Sequence, residues 1–205
     1  MSGIPTIQEI EEYVLNAGSD HLGTFGGRYE GGIQLQQIAD EIAPCIHHIL
    51  KSGEKTDNYL EIGSAAGGTI VLMDHFFHPE NMVLIDDNKH PKAHVRPYIL
   101  RDIEREEIIG HSQGVTGRVK GLGLEFDIIL LDGNHTYPGV KADADNYIPM
   151  LRKGGFAILH DSALPEWGII QVVRELKQDK SVSFVNEWRS KKHRPSCGVA
   201  LFQKV

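Results

Sequence analysis

Apolar residues occur in short blocks whose period changes along the chain. In residues 33–50, Ile33, Leu35, Ile38, Ile42, Ile46 and Leu50 fall near one helical stripe, with Pro44 placed to bend it. From Asn58 onward, "NYLEIG", "MVLID", "EIIG", "FDIILLD" and "FAILHD" are short apolar runs that end in glycine or an acid, as buried strands do. Between them, "GGTIVLMDHFF", "RPYILRDIERE", "SQGVTGRVKGL" and "YPGVKADADNYIPMLRKGG" have helical character, and Gly154-Gly155 stands where a helix stop is expected. "PEWGIIQVVRELKQD" is a further amphipathic helix. "SVSFVNEW" and "SCGVALFQK" read as two strands joined by a basic loop.

Strands alternating with helices predict a doubly wound, mostly parallel α/β sheet. The last two strands lack a helix between them, so they are expected to pair antiparallel. The expected organisation is one domain over residues 1–205. It has an N-terminal helical cap and lid over 1–53 and a sheet core over 58–205.

The 205 residues suit a single core, and 40% apolar with 24% charged residues is ordinary for a globular chain. A net charge of -7 argues against broad nucleic-acid binding. Cys45 and Cys197 have no metal-like spacing and read as buried reduced thiols, which fits a reducing compartment. No apolar stretch is long enough to span a bilayer, and the acidic start resembles no signal peptide, so a cytoplasmic location is expected. The N-terminal helices offer a face for a homo-oligomer.

In sheets of this kind, ligands bind beyond the carboxyl ends of the strands, where strand order reverses. The first strand ends in "LEIGSAAGGT", which supplies Glu61, Gly63, Ser64, Ala65, Gly67 and Gly68 before a helix N-terminus suited to an anion. The second ends in Asp86-Asp87, about 20 residues on, where an acid can accept from ribose hydroxyls. Together these predict a nucleoside cofactor. Ala65 stands where the dinucleotide fingerprint needs its second glycine, which disfavours NAD.

The turn resembles the E-x-G-x-x-x-G turn of Rossmann-like, class I S-adenosylmethionine-dependent methyltransferases. The segment "FDIILLDGNHTYPGVKADADNYIPMLRKGGFAILHD" resembles the subfamily of macrocin-type O-methyltransferases and cephalosporin-hydroxylase-like proteins. That resemblance implies a Rossmann-like methyltransferase sheet, S-adenosylmethionine as methyl donor and a divalent cation held by acids. It also places Ser112 or Gln113 near the adenine.

Asp132 and Asp161 close two strands which, as neighbours, would lie about 5 Å apart. Two such carboxylates repel unless a cation joins them, and an oxygen-rich site favours Mg²⁺. His160 stands where relatives carry an acid; it reads either as a metal ligand that tilts the site toward Mn²⁺, Fe²⁺ or Zn²⁺, or as a core histidine, because a straight strand would point it away from Asp161. His135, three residues after Asp132, suits a general base or a helix cap. The expected reaction is metal-assisted methylation of a small hydroxylated substrate. The alternatives are an NAD-dependent oxidoreductase and a non-catalytic S-adenosylmethionine-binding protein. The loop "GTFGGRYEGG", over 23–32, reads as a lid or a connector, with Arg28 and Tyr29 as candidate substrate contacts. The run "RSKKHR" reads as a solvated hairpin loop or a clamp for an acidic ligand, and Asp143 and Asp145 as a polar helix face.

Overall fold

The computed structural model describes residues 3–17 and 32–205. The loop over 23–32, with Arg28 and Tyr29, lies outside the described residues except for Gly32. The elements are α1 (Ile7–Ala17), α2 (Ala39–Ser52), β1 (Asn58–Ile62), α3 (Gly68–Phe77), β2 (Asn81–Asp86), α4 (Arg96–Ile99), β3 (Glu106–Ile109), α5 (Ser112–Gly121), β4 (Phe126–Leu131), α6 (Tyr137–Tyr147), β5 (Leu151–His160), α7 (Ile169–Leu176), β6 (Val182–Trp188) and β7 (Val199–Lys204). The strands form one seven-stranded sheet in the order β3-β2-β1-β4-β5-β7-β6. The first five are parallel, and β7 runs antiparallel to both β5 and β6. This is the doubly wound, Rossmann-like sheet predicted, with the antiparallel C-terminal pair included.

Strand alternation divides the core. Leu60, Ile62, Ile129, Leu131, Ala157 and Leu159 face the layer of α5, α6 and α7. Tyr59, Ile128, Leu130, Phe156 and Ile158 face α1, α2 and α3.

Three predicted elements differ from those observed. The helix expected over 33–50 begins only at Ala39, after Ile38 in extended conformation. The segment before it is spent on close contact with α3, where a side chain at Gly68 would meet Leu35 backbone at 2.6 Å. Second, the helix expected to run to Gly154-Gly155 ends at Tyr147, and Ile148–Met150 forms a single 3₁₀ turn around Pro149. The two glycines belong to β5, where Gly154 takes φ +83°. Third, the helix expected over "RPYILRDIERE" is one turn long.

Register sets the level of the strand tips. β1 lies between β2 and β4, so strand order reverses there and a crevice opens beyond it. Ile62 pairs with Leu131, and Leu131 with Leu159. Asp132 and His160 are therefore the next pair out, one residue beyond the last buried rung.

The turn after β1 rests on a buried ion pair. Asp86 accepts from the Ala65 and Asn88 amides at 2.9 and 2.7 Å. Arg96, 2% exposed, lies 3.1 Å from Asp86, donates to Glu107 at 2.7 Å and to the Ala65 carbonyl at 2.9 Å, and also meets Asn88. Removing one partner of a buried pair leaves the other charge uncompensated. Arg96→Leu is expected to lower the unfolding free energy by about 3–5 kcal/mol in a denaturant titration.

Candidate active site

A cavity of about 670 Å³ opens beyond the tips of β1, β2, β4 and β5, within the range of small-molecule sites. One side, where a nucleoside cofactor is expected, is made by Gly63, Ala65, Asp86, Asp87 and Ser112. Its other side is made by Leu164, Trp167, His193, Pro195 and Cys197. Asp132, His135, His160 and Asp161 lie between.

Gly63 has φ +90°, and a Cβ there would stand 2.2 Å from the Asp132 carbonyl oxygen. Only glycine lets the first turn pass this close to the end of β4. Glu61, Ser64, Gly67 and Gly68 support this turn from below and do not line the cavity. Glu61 is buried, and its carboxyl accepts from the Tyr59 hydroxyl at 2.5 Å. Burial raises its pKa to about 8, although the Tyr59 bond works the other way. The Ser64 hydroxyl is buried without a hydrogen-bond partner among the described residues.

At the second strand tip the two acids differ. The Asp86 carboxylate is spent on backbone amides and Arg96. Asp87 is about one-third exposed and pairs with Lys89 at 2.9 Å. Ser112 donates its hydroxyl proton to Asp143 at 2.5 Å, which turns its oxygen lone pairs toward the cavity. Asp143 is thus buried under the site, whereas its neighbour Asp145 pairs with Lys141 on the surface.

Asp132 and Asp161 converge as predicted, and two imidazoles join them. His160 Nδ1 lies 3.2 Å from Asp132 Oδ1 and 3.3 Å from Asp161 Oδ2. His135 Nε2 lies 3.5 and 3.3 Å from the same two oxygens. The expectation that a straight strand would turn His160 away fails because the strand is not straight. Asp161 takes φ +61°, a left-handed conformation that Asp tolerates better than most residues, and this swings it to the His160 side. Thr136, not His135, caps α6, accepting from the Gly139 amide at 3.3 Å. His135 instead stacks on Trp167, centroids 4.0 Å apart.

Burial works to raise the Asp132 pKa, but the two imidazoles outweigh it and hold the carboxyl at about 2. Burial works to lower both histidines, and the carboxylates reverse it, so His135 rises and His160 rises strongly. The donor atoms of Asp132, His135 and Asp161 all lie within 4.8 Å of one another. A divalent ion with bonds of about 2.0–2.2 Å places its ligands about 3.0–3.5 Å apart, so the donor set fits one. His135 Nε2, buried and without a well-formed hydrogen bond, strengthens that fit.

The basic loop over 189–198 is the hairpin connection of β6 and β7, with Arg189 and Lys192 exposed, but its backbone is held from below. Glu41, fully buried in the first turn of α2, accepts from the Ser190 amide at 2.8 Å, the Ser196 hydroxyl at 2.6 Å and the Gly198 amide at 2.8 Å. Asp40 adds the Ser190 hydroxyl and the Lys191 amide. The loop is thereby pressed over the cavity, with His193, Pro195 and Cys197 as wall. Neither this pinning nor the Trp167 stack was legible beforehand, since each joins residues far apart in sequence. Both cysteines are free and buried, as expected. Among the described residues no helix is long and apolar enough to cross a membrane.

The family described as "Methyltransferase domain" matches residues 60–162. Among curated proteins no sequence relative matches. Solved structures share the fold. The O-methyltransferase TomG of Streptomyces achromogenes, from tomaymycin synthesis and in complex with SAM, is 15% identical over 80% of each chain, with a TM-score of 0.65. A caffeoyl-CoA-type O-methyltransferase of Staphylococcus aureus is 17% identical over 79% of this chain and 81% of that one, TM-score 0.63. The MycE methyltransferase of mycinamycin biosynthesis, in complex with Mg, SAH and mycinamycin VI, is 18% identical over 83% of this chain and 50% of its own, TM-score 0.58.

Two outcomes are expected. Glu41→Ala removes the acceptor of the Ser196 hydroxyl and the Gly198 amide and the shorter of the two bonds of the Ser190 amide, so stability falls by about 2–4 kcal/mol and proteases cut within 189–198 sooner. Glu61 has a folded pKa raised above its unfolded value, so the stability it contributes is full below about pH 4.5 and lost as pH rises through about 8. Glu61→Gln removes that fall, which a series of thermal melts across this range checks.

Proposed function

The chain belongs to the methyltransferase-domain family, as a class I S-adenosylmethionine-dependent methyltransferase, and on that premise we propose that it methylates a hydroxyl of a small molecule with the help of a divalent cation. The observation that carries this reading is the convergence of Asp132, Asp161, His135 and His160 on one point between the cofactor side and the loop-covered side of the cavity.

S-adenosylmethionine supplies an electrophilic methyl group. Asp87 is the acid open enough to accept from ribose hydroxyls, while Asp86 fixes the glycine turn. Ser112, its proton committed to Asp143, offers an acceptor to the adenine amino group. Gly63 and Ala65 let the backbone approach the donor closely. A cation held by Asp132, Asp161 and an imidazole would supply Lewis acidity that makes a hydroxyl easier to ionise.

Exposure separates the two histidines. His160, 6% exposed at its side chain, is shut behind the carboxylates and cannot meet an acceptor. His135, 32% exposed, faces the cavity with its ring plane fixed by Trp167. With His160 beside the carboxylates as the nitrogen ligand, His135 is the imidazole left to take the hydroxyl proton. The freed oxygen forms the new O–C bond as the S–C bond breaks, and S-adenosylhomocysteine leaves. Asp132 holds the resulting imidazolium. Trp167, Leu164 and Pro195 exclude water and give the acceptor an apolar seat. Neither the oxidoreductase nor the non-catalytic alternative has an observation in its favour.

Methyl transfer from labelled S-adenosylmethionine to a panel of phenols and sugars tests the proposal. His135→Gln is expected to lower kcat by about 10²–10⁴ with donor affinity unchanged. Asp132→Ala and chelation by EDTA are each expected to suppress transfer. Transfer that survives both would refute the cation-assisted reading, and heat on titration with NAD⁺ but not with S-adenosylmethionine would refute the methyltransferase chemistry.

A further inference from the structure

We infer that the cation site of this chain discriminates against magnesium and takes a borderline transition ion, with the His160 imidazole as the selecting ligand; this rests on the cation-assisted reading above.

Among the described residues the point between the strand tips is bordered by two carboxylates, Asp132 and Asp161. The cluster of donor atoms among the described residues is Asp132, Asp161 and His135, and His160 Nδ1 stands 3.2 and 3.3 Å from the same two carboxylates, so a second imidazole nitrogen borders the point where an ion would sit. His160 occupies the register position opposite Asp132, and its backbone is paired with Val199 of β7. Its ring is buried and its Nδ1 stands 3.2–3.3 Å from both carboxylates, so it cannot swing out and yield its place to water. An incoming ion therefore meets two oxygens and at least one nitrogen, in a pocket closed on the far side by Leu164 and the 189–198 loop.

That set suits some ions better than others. Magnesium demands near-octahedral oxygen ligation and gives up water reluctantly. Imidazole nitrogen suits Fe²⁺, Co²⁺ and Zn²⁺, and a mixed N/O site follows the order Mn²⁺ < Fe²⁺ < Co²⁺. A nitrogen fixed at the centre of the site thus raises affinity along that series while giving magnesium little.

The test is calorimetric titration of chelator-stripped protein with Mg²⁺, Mn²⁺ and Co²⁺, followed by pulsed electron paramagnetic resonance on the manganese-loaded protein. Manganese and cobalt are expected to bind roughly tenfold or more tighter than magnesium, with cobalt the tighter. The manganese signal is expected to carry ¹⁴N coupling that persists in His135→Gln. His160→Asp is expected to remove that coupling and narrow the gap between magnesium and manganese. Magnesium binding as tightly as manganese, absent ¹⁴N coupling, or coupling lost in His135→Gln and kept in His160→Asp would each overturn the inference while leaving cation assistance intact. A protein that binds S-adenosylmethionine and transfers methyl groups but binds none of the three ions overturns both. Should His160→Asp fail to fold, the affinity order and the ¹⁴N coupling in wild type and His135→Gln still decide.

Discussion

Two carboxylates on neighbouring parallel strands, held at one level by the sheet register, impose a charge problem that the rest of the site answers. Asp132 and Asp161 cannot both stay ionised in a partly dry cavity without positive charge between them. In the chain by itself, two imidazoles provide it, and each is pushed toward its protonated form in return. A divalent ion would do the same with fewer protons, and under the proposed function would leave His135 to act as a base. Stability and function meet here, because the arrangement that balances charge in the resting protein is also one that can gather a metal, a hydroxyl and a base.

Other parts of the molecule hold that centre in place. Gly63 brings the first turn against the end of β4, and the Asp86–Arg96 pair keeps the turn in shape from behind. Glu41 reaches across from α2 to fix the loop over 189–198, so the acceptor side is built by a helix and a loop about 150 residues apart in sequence. Trp167 orients His135 from the segment after β5. The connection after β5 is itself tied to that loop, where the Ala163 amide donates to the Cys197 carbonyl at 2.7 Å. The loop over 189–198 and the segment that carries Trp167 are therefore mechanically linked.

The sheet was legible because strand period and strand ends are local properties of sequence. The runs closed by Asp86, Asp132 and His160-Asp161 marked three strand tips, and alternation with helices implied their parallel order. The C-terminal edge of β5 departs from the sequence pattern for a physical reason: one left-handed residue, Asp161, breaks the two-residue alternation that face assignment relies on. Its N-terminal edge departs from the pattern because Gly154-Gly155 suits a helix stop and a strand entry equally. The roles of Glu41, Asp143 and Trp167 were hidden because each depends on a partner distant in sequence. A buried acid in a helix first turn reads like any solvated one until its donors are seen.

The central claim is that the tips of β4 and β5 form one ion-binding point beside the methyl donor. Anomalous diffraction from a crystal grown with S-adenosylhomocysteine and Mn²⁺ tests it most directly. A single manganese peak between Asp132 and Asp161, bonded to His160, with the adenosyl group running from Gly63 toward Ser112, is the expected result. A cavity holding the adenosyl ligand with Asp132 and Asp161 turned apart and no peak between them would contradict it.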